Sequence, residues 1–128
     1  MSTKSVYRLA ALVVGAEGIG IVALLLWQVS ALADGDTESL SSAIALVVLT
    51  AVGAIAVIAF AVAIARGQSW GRSGGIVTQV LIAAVALGAA TGAYAHPLIG
   101  LGLAVPALVG FILLVMAARR AAADLRKT

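Results

Sequence analysis

Residues 43–65 read AIALVVLTAVGAIAVIAFAVAIA. The stretch has no charged residue, and its hydroxyl-bearing side chain, Thr50, can bond the backbone carbonyl one turn back. About 20 residues of this kind cross a ~30 Å hydrocarbon layer as an α-helix, which satisfies every backbone polar group internally. Residues 9–29 and 98–118 are apolar runs of the same kind, and residues 76–90 become one when the small residues on either side extend them to 73–93. The chain therefore reads as one domain, 1–128, of the all-α membrane class. The predicted architecture is a four-helix transmembrane bundle with spans at about 9–29, 43–65, 73–93 and 98–118 and a tail over 119–128. Composition agrees, because 63% of the residues are hydrophobic and 10% charged, against roughly 25% charged in soluble domains.

The charges orient the bundle. Lys4 and Arg8 precede the first run, Arg66 and Arg72 flank the second connection, and Arg119, Arg120, Arg126 and Lys127 follow the fourth run. All 8 basic residues thus lie on one side of a four-span chain, while Asp34, Asp36 and Glu38 occupy the first connection. The third connection has no Lys or Arg. By the positive-inside rule the bundle is N-in/C-in, multi-pass in a bacterial cytoplasmic (inner) membrane. Tyr7 and Trp70 fall at the inner interface and Trp27 and Tyr94 at the outer one, where amphipathic rings act as anchors.

Arg66, Arg72, Arg119 and Arg120 are placed for lipid headgroup contact, and the basic tail is expected to continue the fourth helix beyond the membrane. Orientation alone accounts for that tail; a specific lipid or partner contact is the alternative. The net charge of +3 is explained by this placement, so the bilayer is the expected partner and nucleic acid is not.

Ala31-Leu32-Ala33 before Asp34, after a basic N-terminus and an apolar run, has the form of a signal-peptide cleavage site. The run is longer than the usual stretch of about 7 to 15 residues, and it carries Glu17 in its middle. A retained first helix is therefore expected.

The connections are too short to fold as soluble modules. Asp36-Thr37-Glu38 before the second helix suits a helix N-terminus, whose exposed N–H groups favour carboxylates. Asp34-Gly35-Asp36-Thr37-Glu38 also looks like the start of a calcium loop, but its glycine is misplaced and the later glutamate ligand is missing. No metal or cofactor is expected. Cysteine is absent, and no Ser, His and acid set or phosphate-binding loop converges, so an enzyme is not expected. His96 stands beside Pro97 at the outer end of the fourth helix, either merely solvated or sensing external pH.

Small residues let membrane helices approach closely. The expected inward faces are Gly102, Pro106 and Gly110 on the fourth helix, with a kink at Pro106. On the third helix they are Gln79, Ala83, Ala86 and Ala90, and on the first Ala10, Glu17 and Gly20.

Glu17 and Gln79 form the candidate intramembrane polar site. Glu17 lies nine positions from Arg8, roughly 13 Å deep at the helical rise, and Gln79 lies seven positions from Arg72, roughly 10 Å deep. A carboxyl group at that depth costs on the order of 2.5 to 3.5 kcal/mol on insertion scales, which makes it a functional candidate by default. If the first and third helices touch, an amide-to-carboxyl bond satisfies both side chains. Two readings stay open: polar glue between helices, within the chain or to a partner, and a proton or cation site.

Ala16-Glu17-Gly18-Ile19-Gly20, in a four-span chain of this size, resembles the small multidrug resistance transporters. That resemblance implies a dimer in which Glu17 exchanges protons for cationic compounds. The third helix lacks that family's aromatic and glycine signature, and the charge bias is too strong for dual topology. Arg66-Gly67-Gln68-Ser69-Trp70-Gly71-Arg72, followed by Gln79, is similar to uncharacterised small four-span integral membrane proteins of actinobacteria. This second likeness implies the architecture and no activity.

The sequence leads to a non-enzymatic polytopic membrane protein. Its expected role is that of an accessory or assembly subunit with a membrane-protein partner or as a homo-oligomer. The alternative is a small proton-coupled transporter using Glu17.

Overall fold

The computed structural model describes residues 2–35, 38–91 and 96–127, with Ala89 described for its backbone alone. The described residues form four helices: α1 Thr3–Ala33, α2 Leu40–Ala65, α3 Ser69–Thr91 and α4 Pro97–Arg126. All four are long and apolar enough to cross a membrane, and each contains or closely tracks the predicted span. Tyr94 and the capping residues Asp36 and Thr37 lie outside the described residues.

Local chemistry sets the helix ends. Ser2 caps α1 by accepting from the Ser5 amide at 3.2 Å. Ser39 caps α2 by accepting from the Ser42 amide, so the cap falls one residue beyond the expected acidic segment. A serine oxygen can accept from the second or third helical N–H without placing a charge there. At the other end of α2, Gly67 has φ +72°. Its N–H donates to the Ile64 carbonyl at 3.0 Å and that of Gln68 to the Ala63 carbonyl at 2.9 Å. This is a Schellman closure, for which glycine supplies the left-handed residue. α4 begins with Pro97, whose missing N–H costs nothing at a helix start, and runs unbroken through Pro106. At 30 residues α4 is about 45 Å long, so its basic end projects past a ~30 Å hydrocarbon core.

Around the bundle, α1 packs on α2 and α4, and α3 packs on α2 and α4. The α1/α2 and α3/α4 interfaces are the larger ones, although the shortest connection, residues 66–68, joins α2 to α3. Packing is concentrated at the basic end. There Ala10, Val14, Val57, Ala61, Ile64 and Leu114 form the apolar core, with Phe60 and Ile76 against it. Between residues 19 and 53, by contrast, no described residue is buried.

Close approach at the packed end depends on glycine. A Cβ at Gly71 would stand 2.5 Å from the Ala63 Cβ and 2.7 Å from the Ile64 backbone nitrogen. At Gly75 it would meet Leu114 and Ile64 at 3.0 and 3.1 Å.

The inward faces differ in part from the expected ones. On α4 the buried residues are Gly100, Ala107, Gly110, Leu114 and Ala117, spaced by threes, fours and sevens. Gly102 faces open space and Pro106 is exposed. On α4 the contact face instead repeats by seven, as Gly100, Ala107 and Leu114 and as Gly110 and Ala117. On α1 the buried face is Val6, Ala10, Val14 and Gly18, spaced by fours, so Gly20 is exposed and Gly18 packs inward, where a Cβ would stand 2.8 Å from Ile58. On α3, Gln79 and Ala86 are buried, Ala90 is half-buried and Ala83 is exposed.

Candidate functional site

The bundle brings Glu17 and Gln79 together. The Gln79 Nε2 donates to the Glu17 Oε2 at 2.6 Å. Since α1 and α3 stand diagonally, this bond crosses the bundle rather than running between neighbours. Gln79 is 1% exposed, and Glu17 is half-buried on the flank of the α1 face formed by Val14 and Gly18.

α4 supplies the space. A Cβ at Gly110 would lie 2.7 Å from the Gln79 Oε1 and 2.8 Å from its Cδ, so only glycine leaves the amide where it reaches Glu17. Three helices thus specify one hydrogen bond, by a carboxyl on α1, an amide on α3 and a missing side chain on α4. Gly110 belongs to a stripe anticipated in the sequence, but its part at the amide could be read only from the three-and-four spacing that places it beside Leu114 and Ala117.

The Oε1 atoms of Glu17 and Gln79 are both shielded and have no hydrogen-bond partner. An ionised carboxylate can only accept, so it can bond the amide N–H but offers nothing to the amide oxygen. A protonated carboxyl has one donor as well. The arrangement can therefore serve as a fixed tie in either state, and it has the atoms to register a proton.

Other polar side chains inside the spans satisfy themselves. Thr50, Thr78 and Thr91 donate to the carbonyls of Leu46, Gly74 and Leu87 at 2.8, 2.9 and 2.7 Å, each one turn back. Gln28 near the C-terminal end of α1 retains a shielded Oε1 without a partner. Among the described residues no group of His, Asp and Glu could hold a metal ion.

The anchors and basic residues take varied positions. Trp27 is 66% exposed and Trp70 52%, and the Trp70 ring meets Phe60 edge-on at 6.0 Å. Arg66 and Arg119 are exposed and Arg120 is half-buried. Arg72 is turned partly into the protein, its Nη1 donating to the Gly67 carbonyl at 2.8 Å and its guanidinium lying 5.7 Å from the centre of the Tyr7 ring. Tyr7 in turn lies where a Cβ on Gly67 would be 3.3 Å from its Cε2. The connection between α2 and α3 is thereby clamped to the start of α1, a contact that Tyr7 and Arg72, sixty-odd positions apart, offer no means of pairing from sequence. His96 is exposed and makes no side-chain cap.

Compared with family models, curated proteins and solved structures, the chain gives no match.

Proposed function

We propose that this polytopic membrane protein is non-enzymatic and acts through helix contacts, as an accessory or assembly subunit in a bacterial cytoplasmic membrane. The observation that carries the reading is the uneven packing of α1 and α2. Their basic-end halves are locked into the core, whereas no described residue from 19 to 53 is buried. A further helix laid against that uncovered half would gain the close packing that drives association in lipid.

The Glu17–Gln79 bond supports the same reading, since a tie of this kind between membrane helices contributes about 0.6 to 2 kcal/mol. It uses the intramembrane carboxyl group to hold the bundle's own helices. Purification in gentle detergent followed by mass spectrometry is expected to return a stoichiometric membrane-protein partner or a homo-oligomer. Repeated recovery of the monomer alone would count against the proposal.

The N-in/C-in orientation is tested by the absence of cysteine. Single cysteines replacing the exposed Ser5 and Ser69 are expected to resist a membrane-impermeant maleimide in intact cells and react after lysis. One replacing Ser41, also exposed, is expected to react in intact cells. The reverse pattern would invert the topology.

A second reading, proton-coupled transport through Glu17, is favoured by the two unpartnered Oε1 atoms of the pair. It predicts that a bound cationic compound releases protons from the purified protein and that Glu17→Gln abolishes the release. If Glu17→Gln leaves release unchanged, or no compound elicits it, transport is ruled out and the structural role stands.

A further inference from the structure

At the basic end of the bundle α1 and α2 part to form a recess of about 470 Å³. Its walls combine two kinds of chemistry. Lys4, Tyr7 and Arg8 line the outer rim, and Leu12, Ala61 and Val62 continue it into the apolar belt. Lys4, Arg8 and Leu12 recur every fourth residue, so one stripe of α1 passes from charge to hydrocarbon along the recess.

The rim is electrostatically one-sided. Lys4 and Arg8 are exposed, and the guanidinium of Arg72 stands over the Tyr7 ring at 5.7 Å. The next acid along α1 is Glu17, over two turns deeper and engaged by Gln79. At this end of the bundle the acid is Asp124, exposed near the far end of α4. Small side chains make the apolar part a groove rather than a ridge, since Ala11 and Ala65 join Ala61 along it.

We propose that this recess binds one anionic phospholipid from the leaflet at the basic end, its phosphate held by Lys4 and Arg8 and an acyl chain lying along Leu12, Ala61 and Val62. The match is one of charge and of depth. The cations stand where headgroup phosphates lie, and the groove leads from them into the hydrocarbon without a polar interruption. Basic pockets between membrane helices bind anionic headgroups by this combination. The site differs from the annular contacts of Arg66, Arg119 and Arg120 in having an apolar floor that can be filled without altering charge.

The test uses the full chain in nanodiscs of phosphatidylcholine with a minor share of phosphatidylglycerol, read by native mass spectrometry as lipid retained per chain. The wild type is expected to retain one phosphatidylglycerol in preference to phosphatidylcholine. Lys4→Gln with Arg8→Gln is expected to weaken that retention roughly twenty- to thirtyfold, as for two basic residues at an anionic surface. Ala65→Phe, at an exposed position, is expected to weaken it at least as much with every charge in place. Glycerol phosphate without chains is not expected to displace the lipid. Retention that survives Ala65→Phe, or the charge substitutions, or that yields to glycerol phosphate, would overturn the proposal.

Discussion

Replacing Gly71 with alanine is expected to destabilise the bundle by about 3 kcal/mol, the upper part of the range for overpacking a well-packed core. The reason is what the new methyl group meets. It would stand 2.5 Å from the Ala63 Cβ, 2.7 Å from the Ile64 nitrogen and 2.9 Å from the Ala63 carbonyl carbon, two of which are backbone atoms in the last turn of α2. That turn cannot yield, because its carbonyls close the Schellman motif through Gly67 and Gln68. α3 must therefore move away from α2 and loosen Ile64 and Leu114, both fully buried. Gly53→Ala is the matched control, since a Cβ there has nothing within 4 Å. Unfolding of the two variants in mixed detergent micelles should separate them clearly. Equal stability would mean that α2 and α3 do not approach as closely as described.

The second large effect is expected from Gln79→Leu. Leucine keeps the bulk but removes the donor to Glu17, leaving a shielded carboxyl group with no partner at either oxygen. Stranding a polar group in this way costs about 1 to 3 kcal/mol, and a loss in the upper part of that range is expected. Glu17→Gln should be much milder, because an amide at position 17 still accepts from the Gln79 Nε2. A stability assay that ranks Glu17→Gln below Gln79→Leu would reverse the assignment of roles within the pair.

Much of the fold follows from quantities that sequence carries directly. Span length and the placement of Lys4, Arg8, Arg66, Arg72 and the basic tail determine helix number and a pairing of antiparallel hairpins. Counting helical rise from Arg8 and Arg72 puts Glu17 and Gln79 at similar depth, and their bond across the bundle is what two otherwise isolated polar groups need. Depth is legible because it depends on one coordinate.

Facing is less so, because it depends on how helices wind about each other. Gly102 and Pro106 share a period of four with Gly110, yet α4 keeps a seven-residue contact and presents Gly100, Ala107 and Gly110. On α1 the face runs the other way, by fours through Val6, Ala10, Val14 and Gly18, and Gly20 falls outside it. Ser39 holds the N-cap of α2 through a local hydroxyl bond to the Ser42 amide, a pairing that charge placement alone does not specify. The Tyr7–Arg72 contact joins the start of α1 to the first turn of α3, and nothing in their separate sequence contexts encodes the meeting.

The membrane bundle has at its centre a polar tie between diagonal helices, from Gln79 to Glu17, and the coupling between its two ends is directly measurable. Glu17→Leu, Gln79→Leu and the double variant should be compared with wild type by unfolding in a bilayer or bilayer mimic. The two single costs are expected to exceed the cost of the double variant, with a coupling energy of about 0.6 to 2 kcal/mol. Costs that simply add, within about 0.5 kcal/mol, would show that Glu17 and Gln79 do not hold each other and would contradict the tie.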